Sequence, residues 1–200
     1  MHKQQPQMTA VILAGGMGRR MGGKDKGLVE LKGRPLVAHV IEAIEPQVSH
    51  LLINANRNQP AYARFGHPVL SDELEGFQGP LAGILAAMKK APTPLLLVVP
   101  CDVPRPPADL GARLWRAMAD ADAEIAVAHD GDRLQPVHAL ITTALSGDLA
   151  SYLGSGKRKI DHWYAQHRMA VVNFSDRPEA FVNINTLDER NELEGGGQDR

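Results

Sequence analysis

The sequence predicts a single three-layer α/β domain, with a mostly parallel, mixed central sheet flanked by helices. Three observations lead there. Short apolar runs with β-branched content alternate with helix-period segments through the first half of the chain, the βαβ pattern that makes strands parallel. The run at 95–99 is apolar at every position, as a strand covered on both faces must be. A chain of 200 residues with 44% apolar content fills one core, and it carries no repeat or low-complexity tract that would mark a second domain.

Taken in order, residues 9–13 read as a buried strand that runs into glycines, and a loop follows over 14–27. Pro35 opens a helix, "PLVAHVIEAIE", with Leu36, Val37, Val40, Ile41 and Ile44 on its apolar face. Strands are expected at 50–53 and 69–70, an apolar-faced helix at 80–91, and the most apolar strand, central in the sheet, at 95–99. A helix at 107–119 and a strand at 124–128 come next. "HDGDRLQP" resembles a hairpin turn leading to a strand at 137–141. Helices near 143–153 and 160–166, strands at 169–174 and 181–184, and a helix from Asp188 complete the domain over 9–190. Residues 1–8 are expected to be flexible, and the tail over 194–200 disordered.

Formal net charge is −1, so the chain has no overall electrostatic footprint for nucleic acid. Locally the balance differs. Residues 13–34 carry Arg19, Arg20, Lys24, Lys26, Lys32 and Arg34 against Asp25 and Glu30. The one cysteine, Cys101, excludes an intramolecular disulfide and fits a reducing compartment, so the cytoplasm is expected. No apolar run approaches the roughly 18 residues of a membrane span, and the polar N-terminus has no export-signal core behind it. Cys101 and the eight histidines show no metal-ligand spacing; Cys101 reads as a small buried residue and the histidines as scattered over the surface. No Ser-His-Asp arrangement is apparent.

The stretch that carries chemistry is "VILAGGMGRRMGGKDKG", residues 11–27. A strand running into a glycine-rich loop offers backbone N–H groups to an anion with little side-chain obstruction. The P-loop pattern G-x-x-x-x-G-K-[ST] finds Gly18, Gly23 and Lys24, but ends on Asp25, which would bring negative charge where a Mg²⁺-binding hydroxyl is needed. The dinucleotide pattern G-x-G-x-x-G finds Gly16 and Gly18, but Met21 stands at the third glycine and no helix is expected to follow at once. There remains a longer loop wrapping a nucleoside triphosphate, its oxygens neutralised by Arg20 and Lys26.

"LAGGMGRRMGGKDKG" resembles the signature L-A-G-G-x-x-x-R-M-G-G-x-D-K of the molybdenum cofactor guanylyltransferases, within the larger group of nucleotidyltransferases that share a glycine-rich loop. "NANR" (54–57), "SD" (71–72), "GPLAGILAAM" (79–88), "PCDVP" (100–104) and "FVNINT" (181–186) are similar to the family's later motifs in the same order. The resemblance implies a Rossmann-like fold of the nucleotide-diphospho-sugar-transferase kind, with GTP bound by the N-terminal half and molybdopterin by the C-terminal half. It also implies transfer of GMP from GTP to the molybdopterin phosphate, with release of pyrophosphate. Mg²⁺, or Mn²⁺ in its place, would serve as cofactor, and molybdopterin-inserting or molybdoenzyme-chaperone proteins would be partners.

Residue by residue, Asp102 lies just past the central strand, where ligands of open α/β sheets collect, and a carboxylate there can hold Mg²⁺ beside phosphate oxygens or serve as a turn aspartate. The family makes it the metal ligand. Lys26 and Arg20 are expected on the phosphates, and with Asp102 they form the catalytic set. Leu13, Ala14, Gly15, Gly16, Gly23 and Gly79 would line the nucleotide, with Asn54 and Asp72 beside it. A carboxylate such as Asp72 can accept from both N1–H and N2–H of guanine, a pattern adenine does not offer. Asn183 and Asn185, two apart on an expected strand, would point their amides the same way. The family assigns them to the pterin side with Arg158 and Lys159. A phosphate monoester arrives ionised near neutral pH, its second pKa being about 6, so no strong protein base is required. Three other readings share parts of this pattern: a CTP-dependent cytidylyltransferase, a non-catalytic nucleotide or pterin carrier, and a P-loop hydrolase, which Asp25 disfavours.

Overall fold

A computed structural model describes residues 6–15, 25–73 and 79–184. Its centre is a seven-stranded mixed sheet in the order β5-β4-β1-β6-β8-β7-β9. The strands are β1 (Met8–Leu13), β4 (His50–Asn54), β5 (Val69–Leu70), β6 (Leu95–Pro100), β7 (Ile125–His129), β8 (Leu134–Thr142) and β9 (Met169–Asn173). Two-residue strands β2 (Glu30–Leu31) and β3 (Arg34–Pro35) form a separate hairpin that the sequence reading did not anticipate. Lys32 and Gly33, both at positive φ, make its turn.

Period-2 alternation sorts the strand residues onto two faces. Met8, Ala10 and Ile12 of β1 join Leu95, Leu97 and Val99 of β6 in one core cluster, while Val11, Leu96 and Val98 join the other. The first face is covered by α1 (Leu36–Ile44), which inserts Val37, Val40, Ile41 and Ile44, and by α4 (Leu110–Asp120), which inserts Leu110, Leu114 and Met118. The second is covered by α3 (Pro80–Lys90), α5 (Ser146–Gly154) and α6 (Ile160–Tyr164), through Leu81, Ile84, Leu149, Leu153 and Trp163. Each fully buried Leu or Val in these layers is worth about 1.5–3 kcal/mol of transfer free energy. The continuous apolar run of β6 follows directly, because it has no exposed face.

Pairing of β1 with β4 and with β6 is parallel, as is β4 with β5. β8 then pairs antiparallel with both β6 and β7. The strand at 95–99 is therefore central as expected, but only one of its two neighbours is parallel. Since β4 and β6 flank β1 on opposite sides, the winding reverses at β1, and the crevice beyond Leu13 is the switch point of the sheet.

Two expectations fail at element level. Residues 181–184 are not a strand: Pro178–Phe181 forms a 3-10 turn begun by a proline, and the chain then runs extended outside the sheet. The helix expected from residue 107 starts at Leu110, after a proline-rich stretch. A short α2 (Gln59–Ala63) was not foreseen, and the helix expected from Asp188 lies outside the described residues.

Candidate active site at the carboxyl ends of β1, β4 and β6

Parallel pairing brings the ends of three strands to one edge. The Ala14 N–H donates to the Asn54 carbonyl at 2.8 Å, and the Cys101 N–H donates to the Leu13 carbonyl at 3.1 Å. Leu13, Ala14 and Gly15 thus leave β1 between the tip of β4 and the tip of β6. Gly16, Arg20 and Gly23 lie outside the described residues.

On the β6 side, Lys26 and Asp102 meet. Lys26 Nζ donates to Asp102 Oδ2 at 3.0 Å, with side-chain exposures of 22% and 13%. Seventy-six residues separate them in the chain. Lys26 opens a 3-10 turn, Lys26–Leu28, in which the Leu28 N–H donates to the Asp25 carbonyl. The Asp102 carbonyl accepts the Ile184 N–H at 2.9 Å, so the segment bearing half-buried Asn183 is tied beside the same strand tip. Asn185 lies outside the described residues, and without a strand at 181–184 the same-face argument for the two asparagines loses its basis.

On the β4 side, a polar network surrounds Asp72. Its Oδ1 accepts from Asn54 Nδ2 at 2.9 Å and its Oδ2 from Asn56 Nδ2 at 2.8 Å, while its own N–H donates to Asn56 Oδ1 at 2.8 Å. Each carboxylate oxygen has two acceptor sites, so one remains on each oxygen after these bonds. Asn56 is a residue the sequence reading passed over, although its spacing of two from Asn54 in "NANR" carries the signal. Gly83 of α3 makes room for the network: a Cβ there would stand 2.3 Å from Asn54 Oδ1. Gly79 precedes α3 with φ 76 and ψ −171, a conformation essentially restricted to glycine.

Arg158 and Lys159 sit between α5 and α6. The Arg158 guanidinium donates to the Leu153 and Lys157 carbonyls, and Lys159 is exposed, its carbonyl accepting the Tyr152 hydroxyl at 2.8 Å. The buried thiol of Cys101 is pushed up from its ordinary pKa, first by burial and then by Asp102 and Asp25, so it is an inert neighbour of the site.

One histidine contradicts the surface reading. His138 of β8 is fully buried, with neither ring nitrogen hydrogen-bonded among the described residues, and its ring meets Phe181 edge-on at 5.0 Å. The cause is local. The β7–β8 register jumps from Val127↔Ala139 to Ala128↔Gln135, which leaves 136–138 outside that ladder around a proline without an N–H. Burial lowers the His138 pKa from 6.5 to about 3.

Among the described residues no group of three or more His, Cys, Asp or Glu could hold a metal by itself. Among the described residues Asp102 is the carboxylate at the β6 tip, beside Lys26, while Asp72 is held by asparagines on the β4 side. That fits Mg²⁺, which is commonly held by one or two carboxylates plus substrate phosphates and water rather than by an all-protein cage. No helix among the described residues is long and apolar enough to cross a membrane.

A mixed α/β sheet whose first strand runs out through Leu13–Gly15 at the switch point, with a paired lysine and carboxylate at the neighbouring strand tip, is the architecture of a nucleotidyltransferase. Residues 10–170 match the MobA-like NTP transferase domain. The molybdenum cofactor guanylyltransferase of Shewanella loihica is 56% identical over 188 residues, covering 94% of this chain and 96% of its own. That of Shewanella sp. strain MR-4 is 57% identical over 187 residues, covering 94% and 95%. Among solved structures, molybdopterin-guanine dinucleotide biosynthesis protein A from Archaeoglobus fulgidus superposes with a TM-score of 0.78 at 24% identity, covering 94% of this chain and 97% of that one. The 2-C-methyl-D-erythritol 4-phosphate cytidylyltransferase from Thermus thermophilus superposes with a TM-score of 0.67 at 17% identity, covering 94% and 98%, and shares the fold. The chain belongs to the MobA-like NTP transferase family, among the molybdenum cofactor guanylyltransferases.

Proposed function

We propose that this protein transfers GMP from GTP to the phosphate of molybdopterin, forming molybdopterin guanine dinucleotide and releasing pyrophosphate. The observation that carries the reading is the Lys26–Asp102 pair, a cation and an anion held 3.0 Å apart at the tip of β6. An oxygen of the acceptor phosphate attacks the α-phosphorus of GTP, forming one P–O bond as the bond to the β-phosphate oxygen breaks. Such a reaction needs positioning and charge stabilisation rather than covalent help from the protein.

Lys26, with Arg20, neutralises phosphate oxygens as charge builds, while amides of residues 13–16 and Gly23 line the triphosphate. Asp102 would hold Mg²⁺, which when bound withdraws charge from the phosphate oxygens. Gly79 lets the chain approach the nucleotide closely. Asp72, oriented by Asn54 and Asn56, offers its remaining acceptor sites to guanine N1–H and N2–H. Asn183, tied to the β6 tip through its neighbour Ile184, stands toward the acceptor with Asn185, Arg158 and Lys159. A reducing cytoplasm suits the free thiol of Cys101, and delivery to a molybdoenzyme or its chaperone would follow.

The test is Asp102→Asn, assayed for pyrophosphate release from GTP, Mg²⁺ and molybdopterin. The variant is expected to lose at least about a hundredfold in kcat with unchanged circular dichroism. Wild-type turnover in it would overturn the assignment of Asp102.

A further inference from the structure

We infer that Tyr62 is a positioning residue for Lys26, acting through a bond to Asp25 that fixes the backbone from which the lysine projects. This rests on the proposed role of Lys26 at the triphosphate. Asp25 is the residue at which the P-loop pattern fails, and the structure gives it a different task. Its side chain is turned inward, 8% exposed, and Oδ1 accepts the Tyr62 hydroxyl at 2.5 Å. Oδ2 accepts from Asn58 Nδ2 at 3.1 Å. Both donors come from α2 and the residue that precedes it, an element from a different part of the chain, 33 and 37 residues away.

The clamp reaches Lys26 by three routes. Asp25 is its covalent neighbour, and the Asp25 carbonyl closes the turn by accepting the Leu28 N–H at 3.0 Å. Gly27, the residue after Lys26, lies directly on the tyrosine: a Cβ there would stand 2.5 Å from the Tyr62 hydroxyl and 3.2 Å from its ring. Tyr62 therefore meets the residues on both sides of Lys26, Asp25 through its carboxylate and Gly27 through its Cα position, and the lysine side chain extends to Asp102. Tyr62 is fully buried, and burial, followed by Cys101 and Asp25, raises its pKa far beyond neutrality, so the hydroxyl stays a donor. A left-handed Asn58, φ 51, gives the second donor its direction.

A lysine held this way arrives at the α-phosphate already oriented. Losing the clamp should weaken stabilisation of the transition state more than ground-state binding, since Asn54 and Asp72 still hold the base. The full chain is tested as Tyr62→Phe, which keeps the ring and deletes the donor. The expected result is a fall in kcat of about tenfold or more with KM for GTP within about threefold. Asn58→Gly keeps the left-handed backbone, deletes the other donor, and is expected to shift kcat the same way by a smaller factor. Tyr164→Phe removes a comparable buried hydroxyl, bonded to the Pro136 carbonyl, and controls for stability alone; its kcat should stay at wild type.

A second readout does not depend on turnover. Acetylation of Lys26 by acetic anhydride, mapped by mass spectrometry, should be several-fold faster in Tyr62→Phe than in wild type and unchanged in Tyr164→Phe. Wild-type kcat in Tyr62→Phe, an equal loss in Tyr164→Phe, or unaltered Lys26 labelling would each overturn the inference. A wild-type protein that forms no guanylylated pterin would instead overturn the proposed function, and the labelling would still decide whether Tyr62 holds Lys26.

Discussion

Replacing His138 by Leu should flatten the acid limb of the stability curve, and the size of the effect follows from its burial. In the folded state the neutral imidazole is enclosed with no partner among the described residues for either nitrogen, and its pKa falls from 6.5 to about 3. Unfolding returns it to water and to its ordinary pKa. Below pH 6.5 the unfolded chain thus binds a proton that the folded chain refuses, so acid favours unfolding. The contribution is intact above pH 6.5 and is lost as pH falls from 6.5 toward 3. Between pH 8 and pH 5 the loss is about 1.5 pKa units of free energy, or about 2 kcal/mol. It approaches about 5 kcal/mol once pH is below both values. Urea unfolding of wild type and His138→Leu at pH 8, 7, 6 and 5 measures it, because titration of the carboxylates cancels in the difference between the two proteins. A wild-type curve that fell no faster than the variant's over that range would show that His138 has a proton partner or is open to water, and would refute the reasoning.

Gly83→Ala places a methyl on Asn54 and should raise KM for GTP at least several-fold, with a stability loss of about 1–3 kcal/mol by chemical denaturation. Asp72→Asn turns one guanine acceptor into a donor; calorimetry with GTP and CTP should show GTP affinity falling about 10–100-fold while CTP changes little. Wild type is expected to prefer GTP in the same titration, and a preference for CTP would reassign the base. Omitting Mg²⁺ should abolish turnover, and Mn²⁺ should restore it.

Much of the fold was legible because its elements are written in local patterns. The run 95–99 identified itself as the central strand since every residue is apolar, and α1 and α3 carried their faces in helix-period spacing. The acidic strand tip at Asp102 and the strand-end Asn54 were legible for the same reason, each being a short motif beside a recognisable strand. The misassigned segment at 181–184 shows the limit. "FVNIN" alternates like a strand, but Phe181 packs on Phe174 and His138, and the Ile184 N–H goes to the Asp102 carbonyl instead of a ladder. The burial does not follow the alternation: Phe181 and Ile184, three apart, are buried while Val182 is half exposed, so two anchors seat this strap where a strand would bury one whole face.

By itself, the sequence determined the α/β class, the order of its main elements and the motifs that place the chain in its family. Only the tertiary structure decided that β8 runs antiparallel beside β6, that His138 is enclosed, that Asn56 orients Asp72, and that Tyr62 reaches back to Asp25. The division has a physical cause. Helix and strand periods arise from contacts a few residues apart, whereas a hydrogen bond between Tyr62 and Asp25 depends on where two separately stable pieces of chain are packed.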